Sequence, residues 1–163
     1  MKLSTVVGGL AGALILGACA ATASARDIPS GGLTYEEVAS WLRASGYPAT
    51  IKPDTSDGAK SYERIVSSSV DGVNYDIYFY GCIKGRCDSI QYAAGWPSSR
   101  GSLDRINGWN TAKRYIRAYS TASGQYWAEY DIDVSPGGTY EQLDHTLTRW
   151  RSIIGEYKTY MGF

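Results

Sequence analysis

Two segments of alternating residues, joined by a short turn within residues 73–96, constrain the fold of this chain more than any other feature. In the first segment the odd-numbered residues from Val73 to Phe79 share one face of an extended chain, and the even-numbered residues from Asn74 to Tyr80 share the other. Apolar side chains dominate the odd-numbered set, which is typical of a half-buried antiparallel strand. The second segment repeats this period of two, so a β-hairpin is predicted.

The turn between these strands contains two cysteines that face each other if it is a two-residue turn. With Lys84 and Gly85 at the tip, Cys82 lies opposite Cys87. The Cα atoms of a close cross-strand pair are about 4.5 Å apart, a separation that a disulfide can bridge. Two reduced thiols are the alternative. The cellular compartment decides between them, because cytosolic cysteines stay reduced whereas those of exported proteins usually pair.

The first 25 residues are typical of a bacterial secretory signal. Lys2 is their only charge, and an apolar run followed by small residues comes after it. Cleavage after Ala25 would release a soluble periplasmic or secreted protein, whereas Leu16-Gly-Ala-Cys19 looks like a lipoprotein box that would acylate Cys19. A retained membrane anchor is disfavoured, since the apolar core is shorter than the roughly 20 residues of a span. Both processing routes leave the two turn cysteines as the only pair, so we expect a disulfide.

Charge and length limit the class of protein. Without Lys2 the chain has 15 basic and 16 acidic residues, a net charge of −1, which provides no electrostatic case for nucleic-acid binding. Residues 26–33 contain Pro and Gly without periodicity, and we expect them to be a linker. The remaining residues, 34–163, suit one domain that buries roughly two-thirds of its unfolded surface.

Capping signals begin three predicted helices, at Thr34, Ser102 and Thr139. The first helix is expected to end at Gly46, and the second to extend from Leu103 to about Tyr115. The third carries an apolar stripe from Tyr140 to Tyr157. Such a stripe either lies on a sheet or, less often at this length, forms a coiled-coil seam.

The predicted strands form a meander and a second hairpin. The meander has strands near residues 49–52 and 61–70 before the two already described, with an Asp71-Gly72 turn leading into Val73. The second hairpin covers residues 116–134 around Ser123-Gly124. We therefore predict an α+β domain in which an antiparallel sheet, made of a four-stranded meander plus a second hairpin, packs with three helices.

Few features indicate catalysis or a bound metal. His145 is the only histidine, and its neighbour Asp144 points in another direction on a helix. Asp131 and Asp133 share a strand face and could hold a cation, but such pairs are more often solvated. The sequence contains no phosphate loop, dinucleotide fingerprint or serine elbow. We expect no enzyme and no cofactor; a hydrolase that uses Asp131, Asp133 or His145 is the least favoured alternative.

Three segments in order resemble the YbjN family of bacterial sensory transduction regulators: the helix end Trp41-Leu-Arg-Ala-Ser-Gly-Tyr47, the hairpin Tyr78–Tyr92, and Ile106-Asn-Gly-Trp-Asn110. The resemblance covers the chain from Leu33 to Tyr157. It implies an α+β domain similar to type III secretion chaperones, which bind other proteins and have no catalytic site. The family offers no active-site residues to carry over, and the segment Gln125–Glu129 is more aromatic than the family pattern.

Two asparagines of that pattern, Asn107 and Asn110, lie on or beside the apolar face of the second predicted helix. A buried amide without a partner costs about 1–3 kcal/mol. The asparagines therefore either hydrogen-bond the backbone of a neighbouring loop or bind a ligand, and the structural role is favoured because buried polar groups are normally satisfied internally.

The leading hypothesis is an exported, non-enzymatic protein that binds another protein or peptide in envelope stress response or signalling. Tyr78, Tyr80 and Trp127 are the candidate contacts, because they lie on strand faces not assigned to the core and because Tyr and Trp anchor interfaces. Helices that cover these side chains are the alternative interpretation. A structural lipoprotein anchored in a membrane through Cys19 is the second hypothesis, and a homodimer stays open.

Overall fold

A computed structural model of the chain describes residues 26–56, 58–60, 63–97 and 101–163. The secretory signal, Cys19 and the cleavage position after Ala25 lie outside the described residues. The strands are β1 (Ala49–Pro53), β2 (Arg64–Val70), β3 (Val73–Ile83), β4 (Arg86–Trp96), β5 (Arg117–Ser120) and β6 (Tyr126–Asp133). The helices are α1 (Tyr35–Ala44), α2 (Leu103–Ala112) and α3 (Tyr140–Met161).

All six strands belong to one antiparallel sheet with the order β1-β2-β3-β4-β6-β5. The first four strands form the predicted meander. The second hairpin, β5–β6, joins it by pairing β6 with β4, so β5 becomes an edge strand. The predicted α+β architecture of three helices and an antiparallel sheet is confirmed.

Each helix begins at the residue that the capping signals indicate. The Thr34 hydroxyl accepts the Glu37 N–H at 3.2 Å, while the Glu37 carboxylate accepts the Thr34 N–H at 3.0 Å, and α3 has the same reciprocal box. Helix α2 ends at Ala112 instead of near Tyr115. Its C-cap, Lys113, is extended, with a φ of −121° and a ψ of 158°, so the helical backbone stops there.

The two meander turns have the expected local geometry. Asp71 has a φ of 48° and Lys84 a φ of 52°, and a glycine with positive φ follows each of them, as two-residue hairpin turns of the favoured hand require. The second turn sets Cys82 opposite Cys87 in the β3–β4 register. A disulfide joins these two cysteines.

The helices bury their apolar sides on one face of the sheet. The stripe of α3 lies on this face, as the sheet-packing interpretation predicts, with Trp150 fully buried between the rings of Tyr75 on β3 and Tyr92 on β4. Trp41 of α1 donates its indole N–H to the Asp144 carboxylate on α3 at 2.8 Å. This hydrogen bond ties the first helix to the last.

The linker interpretation of residues 26–33 is not what the structure shows. Leu33 is fully buried, and its backbone N–H and carbonyl pair with those of Cys87 at 2.9 Å each. Ile28 is also buried and donates its N–H to the Gly138 carbonyl at 2.8 Å. Tertiary contacts therefore hold a segment that has no periodicity of its own, and they extend the folded unit to the first described residue.

Candidate functional site

The candidate site is the face of the sheet opposite the three helices, here called the helix-free face. Side chains alternate along each strand, so this face collects the even-numbered residues of β3 and the odd-numbered residues of β4, β5 and β6. Across the central strands the register aligns Asp76, Ala93, Glu129 and Arg117 in one row. The neighbouring row aligns Tyr78, Gln91 and Asp131.

The structure brings the three candidate contact residues into one cleft on this face. Tyr78, Tyr80 and Trp127 all line a hollow of 1160 Å³, bounded by the β1–β2 loop on one side and the β5–β6 loop on the other. Tyr80 is 48% exposed, and Tyr78 and Trp127 are half-buried. The helices pack on the opposite face and do not cover them. Whether the cleft binds a partner stays a prediction.

Small residues of β4 line a second hollow on this face, beside the cleft. Ala93 lies between Asp76 and Glu129, and Gly95 lies opposite Trp127. A Cβ atom added to Gly95 would come within 3.0 Å of the Trp127 indole, so the indole lies directly over the glycine. This second hollow has a volume of 580 Å³ and shares Gln125 and Trp127 with the cleft. The helix-free face therefore carries two neighbouring hollows with Trp127 in the lining of both.

A buried carboxylate lies on β6, beside the edge strand of this face. Glu129 is only 7% exposed, yet no helix packs against it. One of its oxygens accepts the Tyr119 hydroxyl at 2.6 Å, and the other forms an ion pair with the Arg117 guanidinium. The Gln91 amide lies 3.4 Å from the latter oxygen. A charge withdrawn from water requires such partners, and the neighbouring strands supply them.

Gln91 connects this carboxylate to the tyrosine side of the cleft. Its amide N–H donates to Asp131 at 2.7 Å, and its amide oxygen accepts the Tyr80 hydroxyl at 3.2 Å. The hydrogen-bonded chain from Tyr80 through Gln91 and Glu129 to Tyr119 therefore crosses β3, β4, β6 and β5. Side chains in such a network are held in place before any ligand arrives.

Burial and neighbouring carboxylates raise the pKa of the cleft tyrosines. Burial, together with the carboxylates of Asp76 and Asp54, raises the pKa of Tyr78 to about 12. Burial also raises the pKa of Tyr80, helped by Glu129 and Asp131. The tyrosines therefore stay neutral at physiological pH and can donate their hydroxyl protons.

The two asparagines of the family pattern have different environments. The Asn110 amide donates to the Ala118 carbonyl at 2.9 Å and accepts the Ala118 N–H at 3.1 Å. It thus pairs with edge strand β5 as another strand would, which supplies the internal partner that a structural role requires. Both asparagines are exposed on α2, so the contact with Ala118, and not burial, distinguishes Asn110 from Asn107.

We predict that Asn110→Ala lowers the free energy of unfolding by about 1–2 kcal/mol, because both Ala118 backbone groups lose their partner. The matched control is Asn107→Ala on the same helix, which should change stability by less than about 0.5 kcal/mol. Urea denaturation followed by circular dichroism measures both. Equal losses in the two variants would contradict the edge-capping role.

The residues considered for hydrolysis do not converge. Asp131 belongs to the Gln91 network, whereas His145 lies on α3 and lines a separate hollow of 300 Å³ with Asp133. Within the described ranges, no group of three or more His, Cys, Asp or Glu side chains could hold a metal ion. No helix in the described part of the chain is long and apolar enough to cross a membrane.

Several residues of this site were missed from the sequence. The period of two along β6 places Glu129 on the same face as Trp127, but nothing local indicates its burial. No local pattern singles out Tyr119 or Gln91. The one available signal was the unusually aromatic segment that contains both Trp127 and Glu129. The pairing of β6 with β4 brings these residues together, and local sequence does not specify that pairing.

A comparison with protein families gives a match over most of the chain. The model of the YbjN family, described as "Putative bacterial sensory transduction regulator", matches residues 34–163. The match begins at the N-cap of α1 and includes every strand of the sheet. No curated protein matches the chain at a significant level.

Proposed function

The chain belongs to the YbjN family, and from that premise we propose that it is an exported regulatory protein that binds another protein or peptide on its helix-free face. The family description supports a regulatory, non-enzymatic role. The observation that carries the proposal is the cleft itself, a hollow of 1160 Å³ that Tyr78, Tyr80 and Trp127 line together. Exposed aromatic side chains in a preformed depression are typical of protein-binding surfaces.

Two features support export to the envelope. The disulfide between Cys82 and Cys87 suits an oxidising compartment, because cytosolic thiols are kept reduced. The first 25 residues have the charge and hydropathy pattern of a secretory signal. Within the envelope, we propose a role in stress response or signalling.

The proposal predicts that the triple variant Tyr78→Ser, Tyr80→Ser and Trp127→Ser captures partner proteins from envelope extracts at least about tenfold less well than the unchanged chain. The reason is that aromatic anchors carry most of the binding free energy at such surfaces. Quantitative mass spectrometry of proteins crosslinked to the immobilised, disulfide-closed domain measures the loss.

The chain offers a matched control away from the cleft. Leu103, Tyr115 and Tyr160 are exposed apolar or aromatic residues that do not line the cleft. Their triple replacement by serine removes a similar amount of apolar surface and should leave capture unchanged. A partner that binds the cleft variant as well as the control would show that the binding surface lies elsewhere.

A further inference from the structure

In one ion pair of the helix-free face, one side chain is buried and the other is exposed to solvent. The side chain of Glu129 is 8% exposed, whereas that of its partner Arg117 is 66% exposed. The guanidinium therefore approaches the buried carboxylate from solvent. The Tyr119 ring lies 5.3 Å from the guanidinium carbon, and the Tyr119 hydroxyl donates to the same carboxylate. These groups form a guanidinium site made of a buried carboxylate and an aromatic ring.

Breaking this ion pair costs its two partners different amounts of free energy. Arg117 begins the short edge strand β5, and in its solvated position the guanidinium loses little when it leaves the pair. Glu129 is different, because a buried carboxylate without a cation carries a large desolvation cost. Any cation that reaches Glu129 from solvent can therefore replace Arg117 at small cost.

The route to Glu129 runs through the aromatic cleft. Glu129 itself lines the 1160 Å³ hollow together with Tyr78 and Tyr80. Asp131, exposed in the adjacent row, adds a second negative charge on the strand side. A planar, weakly hydrated guanidinium suits a buried carboxylate beside phenol rings better than an ammonium does.

We infer that the cleft recognises an arginine side chain of an extended partner peptide, which takes the place of Arg117 on Glu129. The inference rests on the proposed function and specifies the chemistry of the ligand. Arg117 then acts as an internal competitor that satisfies Glu129 until the partner arrives.

The test uses N-acetyl-arginine methylamide as the probe and its citrulline analogue, which is isosteric and uncharged, as the matched control. Nuclear magnetic resonance titrations of the folded chain follow the indole N–H of Trp127 and the backbone amides of β5 and β6. The arginine probe should bind at least about tenfold more tightly than the citrulline analogue, because only the former makes a charge-assisted pair.

Two variants separate competition from simple contact. Arg117→Ala should bind the arginine probe about fivefold more tightly, and the probe should raise its melting temperature more than that of the unchanged chain, since it re-pairs Glu129. Glu129→Gln should bind it at least about tenfold less tightly. Weaker binding to Arg117→Ala, or equal binding of the two probes to the unchanged chain, would overturn the inference.

Failure here is distinguishable from failure of the proposed function. If the arginine probe shows no preference while the aromatic triple variant still loses its partners, the cleft binds protein by other chemistry and only the arginine inference is wrong. If the triple variant keeps its partners, the proposed surface is wrong as well. Arginine-dependent binding that Glu129→Gln abolishes and Arg117→Ala tightens supports both.

Discussion

Replacing Trp150 with alanine is expected to lower the free energy of unfolding by about 3–5 kcal/mol. The side chain is fully buried, and its ring centroid lies 5.6 Å from those of Tyr75 and Tyr92, so α3 is packed on the centre of the sheet through this residue. Removal of the indole leaves a cavity that the two strands cannot close. Guanidinium denaturation of the disulfide-closed domain, followed by far-ultraviolet circular dichroism, measures the loss.

The matched control is Trp150→Phe. The indole N–H of Trp150 is buried and has no hydrogen-bond partner among the described residues, so phenylalanine removes a donor that contributes little to stability while it keeps the aromatic contacts. We expect a loss of about 1–2 kcal/mol. If the alanine variant were no less stable than the phenylalanine variant, α3 would not depend on this contact.

The local elements of the fold were predictable because each is encoded within a few residues. The reciprocal box of Thr34 and Glu37 specifies where α1 begins. The Lys84-Gly85 turn specifies a two-residue connection, and that in turn sets Cys82 opposite Cys87. Errors at this level concern element ends such as that of α2, where the extended backbone of Lys113 stops the helix before Tyr115.

The arrangement of the candidate site could be predicted only in part. The period of two along a strand assigned Tyr78, Tyr80 and Trp127 to faces away from the core, and that assignment required no knowledge of the partner strands. The burial of Glu129 depends on Ala93 beside it on β4 and on Arg117 beside it on β5. Such cross-strand neighbours are separated in sequence, so no local pattern specifies them.

The same limit explains the misinterpretation of residues 26–33. Proline and glycine without periodicity are typical of linkers. Here a glycine is needed because the backbone of this segment lies very close to the backbone of β4. Gly32 has a φ of 93°, and a Cβ atom built on it would lie 1.8 Å from the carbonyl oxygen of Cys87. The adjacent Leu33 pairs with Cys87 through both backbone groups. Only a residue without a side chain fits at position 32.

We therefore expect Gly32→Ala to lower the free energy of unfolding by at least about 3 kcal/mol. About 1 kcal/mol of this is the cost of a left-handed alanine, and the remainder reflects the loss of contacts as the segment is pushed away from β4. Denaturation of variants in the chain that begins at Arg26 measures the difference. The Leu33 and Cys87 amides each donate to the carbonyl of the other residue at 2.9 Å, so hydrogen exchange at these two amides reports the detachment directly.

Gly31→Ala is the control that separates backbone conformation from contact. Its φ of 89° is nearly the same, but its Cβ atom would meet only side-chain carbons of Arg86, at 3.9 Å. The conformational cost of about 1 kcal/mol should therefore be the whole effect. A flexible linker would tolerate both substitutions. A segment that pairs with β4 should tolerate Gly31→Ala much better than Gly32→Ala. If both variants lost the same small amount of unfolding free energy, residues 26–33 would be a linker and the domain would begin at Thr34.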